Sequence, residues 1–319
     1  MMKGRIVDRI TYEQVTRNIK NVFNTAGFAE LNRSKVDDLR YVIAYKGESP
    51  RFGCIFGIRE DQWFCPFSAP FGYMEPLKRD QTVENFEDAL KAVESVAIED
   101  GCVEMSMTLP PAFYDSDVIN TWYAIMVNSG WKERLADISF ALNINYLKDD
   151  YISKMHHNAR KNYHIALKSG LKLWECKTPE DEIKAYNIIK TNRKSKGYPL
   201  RMSEEQVLDT IRIVPANMYI VSDATSDVAS SLIYDVTHNI AQVIYWGDIP
   251  DCQDKKVINF LSHELLELYA GRGFSYLDIG PATEEGVPNY GLCDFKDSIG
   301  CERTAKFQMY KQLKKEVQS

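Results

Sequence analysis

Asp278-Ile-Gly-Pro-Ala-Thr-Glu-Glu-Gly-Val-Pro-Asn-Tyr-Gly-Leu-Cys-Asp-Phe-Lys296-Asp-Ser-Ile-Gly300-Cys301 begins on an apolar run, Phe274 to Ile279, that reads as a strand. It continues through four glycines and two prolines with almost no apolar periodicity. Such a length without a helical or strand pattern predicts a long loop, and long loops in compact domains tend to carry function. The stretch ends on a lysine preceded by Phe295 and followed by a Gly-Cys pair. A polar site at a strand end, with a cation placed in it, is the expectation.

The elements around this stretch alternate between helix and strand. Upstream lie the strands Met218–Ser222, Ala229–Val236 and Ile240–Trp246, then a helix over Lys255–Ala270. The first half has the same order: strands Tyr41–Tyr45, Gly53–Ile58 and Trp63–Phe67, an amphipathic helix Thr82–Asp100 capped by Thr82, and the strand Val103–Leu109. Further helices are expected at 11–26, 118–129, 150–169, 179–194 and 203–214 and a further strand at 138–144, while 305–315 reads as a strand or a helix, the alternation of 306–311 favouring strand. Three strands, a helix and a fourth strand, once in each half, predict an internally duplicated α/β architecture. The expected division is 1–148 and 149–319.

The 319 residues suffice for two ordinary domains, and 45% hydrophobic with 26% charged residues fits a globular chain. No apolar run reaches the roughly 20 residues a membrane helix needs. The N-terminus is too charged for a signal peptide. Seven scattered cysteines without a CxxC pair predict reduced thiols in a cytoplasm. No Cys/His cluster has zinc-ligand spacing, so no metal is expected.

The net charge of −6 is uneven: residues 1–150 hold 17 Lys+Arg against 23 Asp+Glu, leaving 22 against 22 for the remainder. Two segments of that second half, Tyr151–Trp174 and Ile183–Ser203, contain no acid. On an acidic protein this predicts a local anionic ligand or a solvated helix face, and it argues against DNA. Lys154, Lys161 and Lys168 are seven apart and are expected on one helix face.

Four features resemble the FemAB-type transferases, whose chains hold two GNAT-like (acyltransferase) domains in tandem. They are the helix Asn158-Ala-Arg-Lys-Asn-Tyr-His-Ile-Ala-Leu-Lys-Ser-Gly170, the segment Asn192-Arg193-x-x-x-Gly-Tyr-Pro-Leu-Arg201, the strand–helix–strand from Gln242 through Asp278, and Gly-Leu-x-x-Phe-Lys296-x-x-x-Gly300. The resemblance covers about residues 150–310. It implies transfer of an acyl or aminoacyl group onto the amine of a small molecule or peptide, from aminoacyl-tRNA or acyl-CoA, with no tightly bound cofactor. In the peptidoglycan branch of that family the acceptor is a cell-wall precursor.

The resemblance assigns Lys296 to a developing oxyanion; otherwise it is a surface lysine. Asp278 is read as orienting the amine or accepting its proton, or as a turn cap. Arg201, Arg193 and Arg160 are candidates for a phosphate, since guanidinium suits bidentate contact. Tyr245, Trp246, Asn289, Tyr290 and Phe295 are candidate binding residues. Asp248-Ile-Pro-Asp-Cys-Gln-Asp-Lys-Lys256 lacks the glycines of a pyrophosphate-binding loop and carries three aspartates, which disfavours CoA there. Cys301 lacks a His partner by motif and reads as a structural thiol. An acyl-CoA-dependent N-acetyltransferase and a silent GNAT-like module holding a phosphorylated ligand or RNA stay open as alternatives.

Overall fold

The computed structural model describes residues 1–313. The chain forms two compact units, one comprising Met1–Asp137 with the described residues from Thr304 on, the other Ile138–Arg303. This differs from a single division at 148. The C-terminal strand pairs inside the first unit, and the strand from Ile138 pairs inside the second.

In the first unit, β1 (Lys3–Val7), β2 (Asp38–Lys46), β3 (Ser49–Arg59) and β4 (Gln62–Cys65) run antiparallel in that order. Helix α1 (Val83–Glu99) returns the chain to β5 (Glu104–Thr108), which lies parallel to β4. The Thr82 side chain caps α1 by accepting from the Asn85 amide. Phe86, Ala89, Leu90, Val93 and Ala97 recur at helical spacing and are buried in this unit's core. Helix α2 (Ser116–Asn128) packs Trp122 against Phe52 and Phe86. In place of the helix expected over 11–26 there are two short helices, Arg9–Val15 and Ala26–Leu31. Asn24 between them is buried and gives its side-chain N–H to the Gly53 carbonyl, a tertiary bond that the apolar spacing does not encode.

The second unit repeats the order. It opens with β6 (Lys132–Asn143, from Ile138), α3 (His157–Lys168), β7 (Lys172–Glu175), α4 (Pro179–Lys196) and α5 (Glu204–Ile211). Then come β8 (Ala216–Ser222), β9 (Asp227–Asp235), β10 (Ile240–Asp248), α6 (Val257–Gly271) and β11 (Tyr276–Pro281). The sheet runs β7-β8-β9-β10-β11-β6, with only β10 and β11 parallel. Residues α7 (Tyr290–Ser298) and β12 (Glu302–Gln312) follow, and residues 308–312 of β12 pair with β5 in the first unit. The strand expected at 305–315 is therefore present to Gln312; Lys314 and Lys315 lie outside the described residues.

Alternation along the strands gives each sheet face its own cover. Ala241, Val243, Leu277, Ile279 and Leu142 meet Ala159, Tyr163 and Ala166 of α3 and Leu261, Leu265 and Tyr269 of α6 in one apolar core. Helix α4 lies on the other face: Ser230 donates to the Ala185 carbonyl at 2.7 Å, and a Cβ on Gly247 would come within 2.3 Å of Asn192. The helix expected over 150–169 is broken at Met155, whose backbone is extended, and the His156 amide bonds the Ser298 carbonyl. Lys154 therefore does not share a helix face with Lys161 and Lys168; its ammonium turns back to the Tyr146 carbonyl and ring.

Candidate active site

The parallel strands β10 and β11 pair at Ile240–Tyr276, Ala241–Leu277 and Gln242–Asp278, and the ladder stops there. Both strands continue, to Asp248 and Pro281. Two irregularities pull them apart. β10 carries an extra residue, Ile244, where Leu232 pairs with Tyr245 and Ile233 with Val243. β11 is bulged against β6 between Asp278 and Gly280, and Gly280 sits at φ +71°, a left-handed conformation that suits glycine. A bulge bends its strand and re-aims the side chains after it. Tyr245 therefore faces α4, while Trp246 faces the α6 side, with its ring 6.4 Å from Phe295. The result is a fork whose apex is the pair Gln242–Asp278.

Asp278 is 1% exposed. Its Oδ1 accepts from the Gly280 amide and its Oδ2 from Gln242 Nε2, both at 2.7 Å. Gln242 Oε1 is buried and has no hydrogen-bond partner among the described residues.

Lys296 does not lie in a loop. The stretch that reads as one forms a two-strand hairpin, Thr283–Glu284 with Val287–Pro288, and then α7. Asn289 caps α7 by accepting from the Leu292 amide, so it has a helix-starting task. Tyr290, just after it, is 76% exposed, and Phe295 packs against the core. Lys296, in the last turn, is 2% exposed; its Nζ donates to the carbonyls of Ile279, Gly280 and Pro281, each at 2.9 Å. The ammonium also stands 5.3 Å from the Phe140 ring centroid. Lys296 is thus a buried clamp on the end of β11, not a surface lysine. Cys301 is held as a thiol, because burial pushes it well up and the nearby Lys296 charge offsets only part of that.

The arginines separate. Arg193, near the end of α4, places its guanidinium 5.2 Å from the Tyr245 ring centroid and 5.8 Å from that of Tyr198. Burial pulls its pKa below the usual guanidinium value, and its Nε has no hydrogen-bond partner among the described residues. Around it Tyr186, Lys190, Lys194, Tyr198, Leu200 and Met202 line a cavity of about 450 Å³. Arg201 is exposed, with its backbone amide against the Tyr245 hydroxyl. Arg160 belongs to α3, which packs on the opposite sheet face, so the structure does not bring it to the Arg193 cavity.

Gln242 and Tyr198 were not among the candidate site residues, and Lys190 entered only as part of the acid-free segment 183–203. Gln242 had a signal: it is a lone amide inside the apolar run Ile240-Ala-Gln-Val-Ile244. The turn before α6 forms without glycine, using Asp251 at φ +72° and Lys256 at φ +53°. An ion pair of 2.5 Å between Lys255 and Asp223 borders it.

Three antiparallel strands, a crossover helix and a parallel fourth strand define a GNAT-like unit, and the chain holds two of them in tandem, as FemAB-like chains do; in the second the parallel pair splays beyond Gln242–Asp278. Solved structures share it: FemX superposes with a TM-score of 0.70 at 9% identity, over 96% of both chains. L-PGS from Bacillus licheniformis gives 0.62 at 13% identity over 98% of this chain and 94% of that one. A tandem GNAT protein from the clavulanic acid biosynthesis pathway gives 0.53 at 9% identity, over 98% and 99%. No protein-family model and no curated protein matches the sequence. Among the described residues, no helix is long and apolar enough to cross a membrane.

Proposed function

We propose that the protein is an acyl- or aminoacyltransferase that joins a carbonyl from an ester or thioester donor to an amine. The observation that carries this is the fork: beyond Gln242, β10 no longer pairs with β11, so its peptide groups on that side face the opening, with Asp278 at the apex. Preorganised peptide N–H groups are suited to a developing oxyanion. In this reading the amine nitrogen bonds to the donor carbonyl carbon, the C–O or C–S bond breaks, and the amine proton passes through Asp278 to the leaving oxygen or sulfur. Lys296 contributes by holding the Ile279–Pro281 carbonyls and by its fixed positive charge beneath the fork. Arg193, Lys190 and Lys194 give the neighbouring cavity a positive lining for an anionic part of the donor or acceptor, and the exposed Arg201 follows the lining residue Leu200 in the chain.

Aminoacyl-tRNA and acyl-CoA are both donors in this reading. The test is incubation with charged tRNA or acyl-CoA and an amine panel, with covalent transfer read by mass spectrometry. Lys296→Ala protein that folds and transfers at the wild-type rate removes Lys296 from the mechanism. A second reading, a silent module that only holds an anionic ligand, is favoured by the burial of Lys296 among backbone carbonyls. Ligand binding with no transfer from either donor supports that reading instead.

A further inference from the structure

Gln242 lies opposite Asp278 at the last rung of the β10–β11 ladder, and its side chain does two unequal things. Its Nε2 donates to Asp278 at 2.7 Å, which fixes the orientation of the amide. Its Oε1 finds no donor among the described residues, although the residue is only 4% exposed. A buried carbonyl without a partner is costly and rare, so its persistence calls for an incoming donor. Ser139 Oγ, on the β6 position opposite Pro281, is also buried without a partner. Both side chains lie on the sheet face away from the α3–α6 core, as Tyr245 does.

We propose that Gln242 Oε1 receives one N–H of the acceptor amine, which makes Gln242 the residue that distinguishes a primary from a secondary amine. This rests on the transferase reading for its chemistry. A neutral primary amine has two N–H bonds and one lone pair. One N–H goes to Gln242 Oε1, the other to the Asp278 carboxylate, and the lone pair is left directed at the donor carbonyl in the fork. A secondary amine has one N–H; when that N–H is given to Asp278 for proton transfer, Gln242 Oε1 is left without a donor. Gln242 is thus a specificity-determining and positioning residue, and Asp278 takes the proton.

The test pairs each primary amine with its N-methyl homologue, n-butylamine against N-methylbutylamine, in wild type, Gln242→Leu and Gln242→Met. With a donor that supports transfer, wild type should prefer the primary amine by about tenfold or more, the worth of one hydrogen bond. The preference should collapse in both variants through a raised KM for the primary amine, with kcat changed less. Gln242→Glu keeps an acceptor oxygen and should restore part of the preference. Equal discrimination in wild type and a folded variant overturns the proposal, and Gln242→Met serves if Gln242→Leu does not fold. Should no donor support transfer, saturation-transfer NMR with the same two amines decides independently. Primary-amine preference in wild type that is lost in the variants sustains the amine site while the transferase reading falls. No preference in wild type overturns the site as well.

Discussion

The guanidinium of Arg193 lies 5.2 Å from the ring centroid of Tyr245, with no carboxylate among the described residues paired to it. The two residues come from different elements: Arg193 from the end of α4, and Tyr245 from β10 just past the Ile244 bulge. The bulge turns Tyr245 toward α4. A half-buried cation held by aromatic faces alone is poised for an anion, at a cost to the empty protein.

That cost predicts a trade between stability and binding. Arg193→Met should raise stability by about 1 kcal/mol, because it removes an unpaired charge without losing packing. It should also weaken pyrophosphate binding at least tenfold. Thermal unfolding and a pyrophosphate titration on the same protein check both halves.

Lys296→Ala leaves the buried Ile279 carbonyl and the part-buried Gly280 and Pro281 carbonyls without their donor and opens a cavity beside Phe140. The expected destabilisation is about 3 kcal/mol, measured by urea unfolding. Hydrogen exchange at Gly280 and Ala282 should quicken more than at Val93 in α1, because the lesion is local to the end of β11.

Glu75, in the first unit, is buried, and burial raises its carboxyl from 4.5 to about 7, with the Lys20 amide opposing the shift. The folded state then holds a proton that the unfolded state has released. Stability is unaffected by this group below pH 4.5, falls as pH rises through the window to about 7, and stays lower above it. The full effect is on the order of 3 kcal/mol. Glu75→Gln should flatten that decline, and urea midpoints at pH 5 and pH 8 that differ as much in the variant as in wild type would contradict the assignment.

Gly247→Ala places a methyl within 2.3 Å of Asn192, whose Nδ2 bonds the Asp248 carbonyl at 2.7 Å. Helix α4 must move off β10 to accept it, at about 2–3 kcal/mol. Because Arg193 follows Asn192, pyrophosphate affinity should fall too. A crystal structure of the variant with α4 unmoved would refute this.

The element order was legible because burial on one side imposes a period that local sequence carries. Thr82 caps its helix where the residue type foretold it, and Gly197 and the Ser203–Gln206 capping box bound the helices expected at 179–194 and 203–214. The stretch 281–298 was not legible as hairpin and helix, since its turn at Glu285–Gly286 and its cap at Asn289 are spaced too closely for periodicity to show. The break at Met155 was hidden as well, because the apolar stripe continues across it while a tertiary bond to Ser298 ends the first helix.

By itself the sequence determined the duplicated strand and helix order, the acid-free basic segments and the short set of residues worth testing. Those follow from periodicity, composition and residue type, which neighbours in the chain decide. Only the tertiary structure decided that Lys296 is a buried clamp on β11, that Arg193 and not Arg160 meets Tyr245, and that Gln242 leaves a carbonyl unpaired. Each depends on where two strand bulges point side chains and on which face a helix covers, contacts between residues distant in sequence.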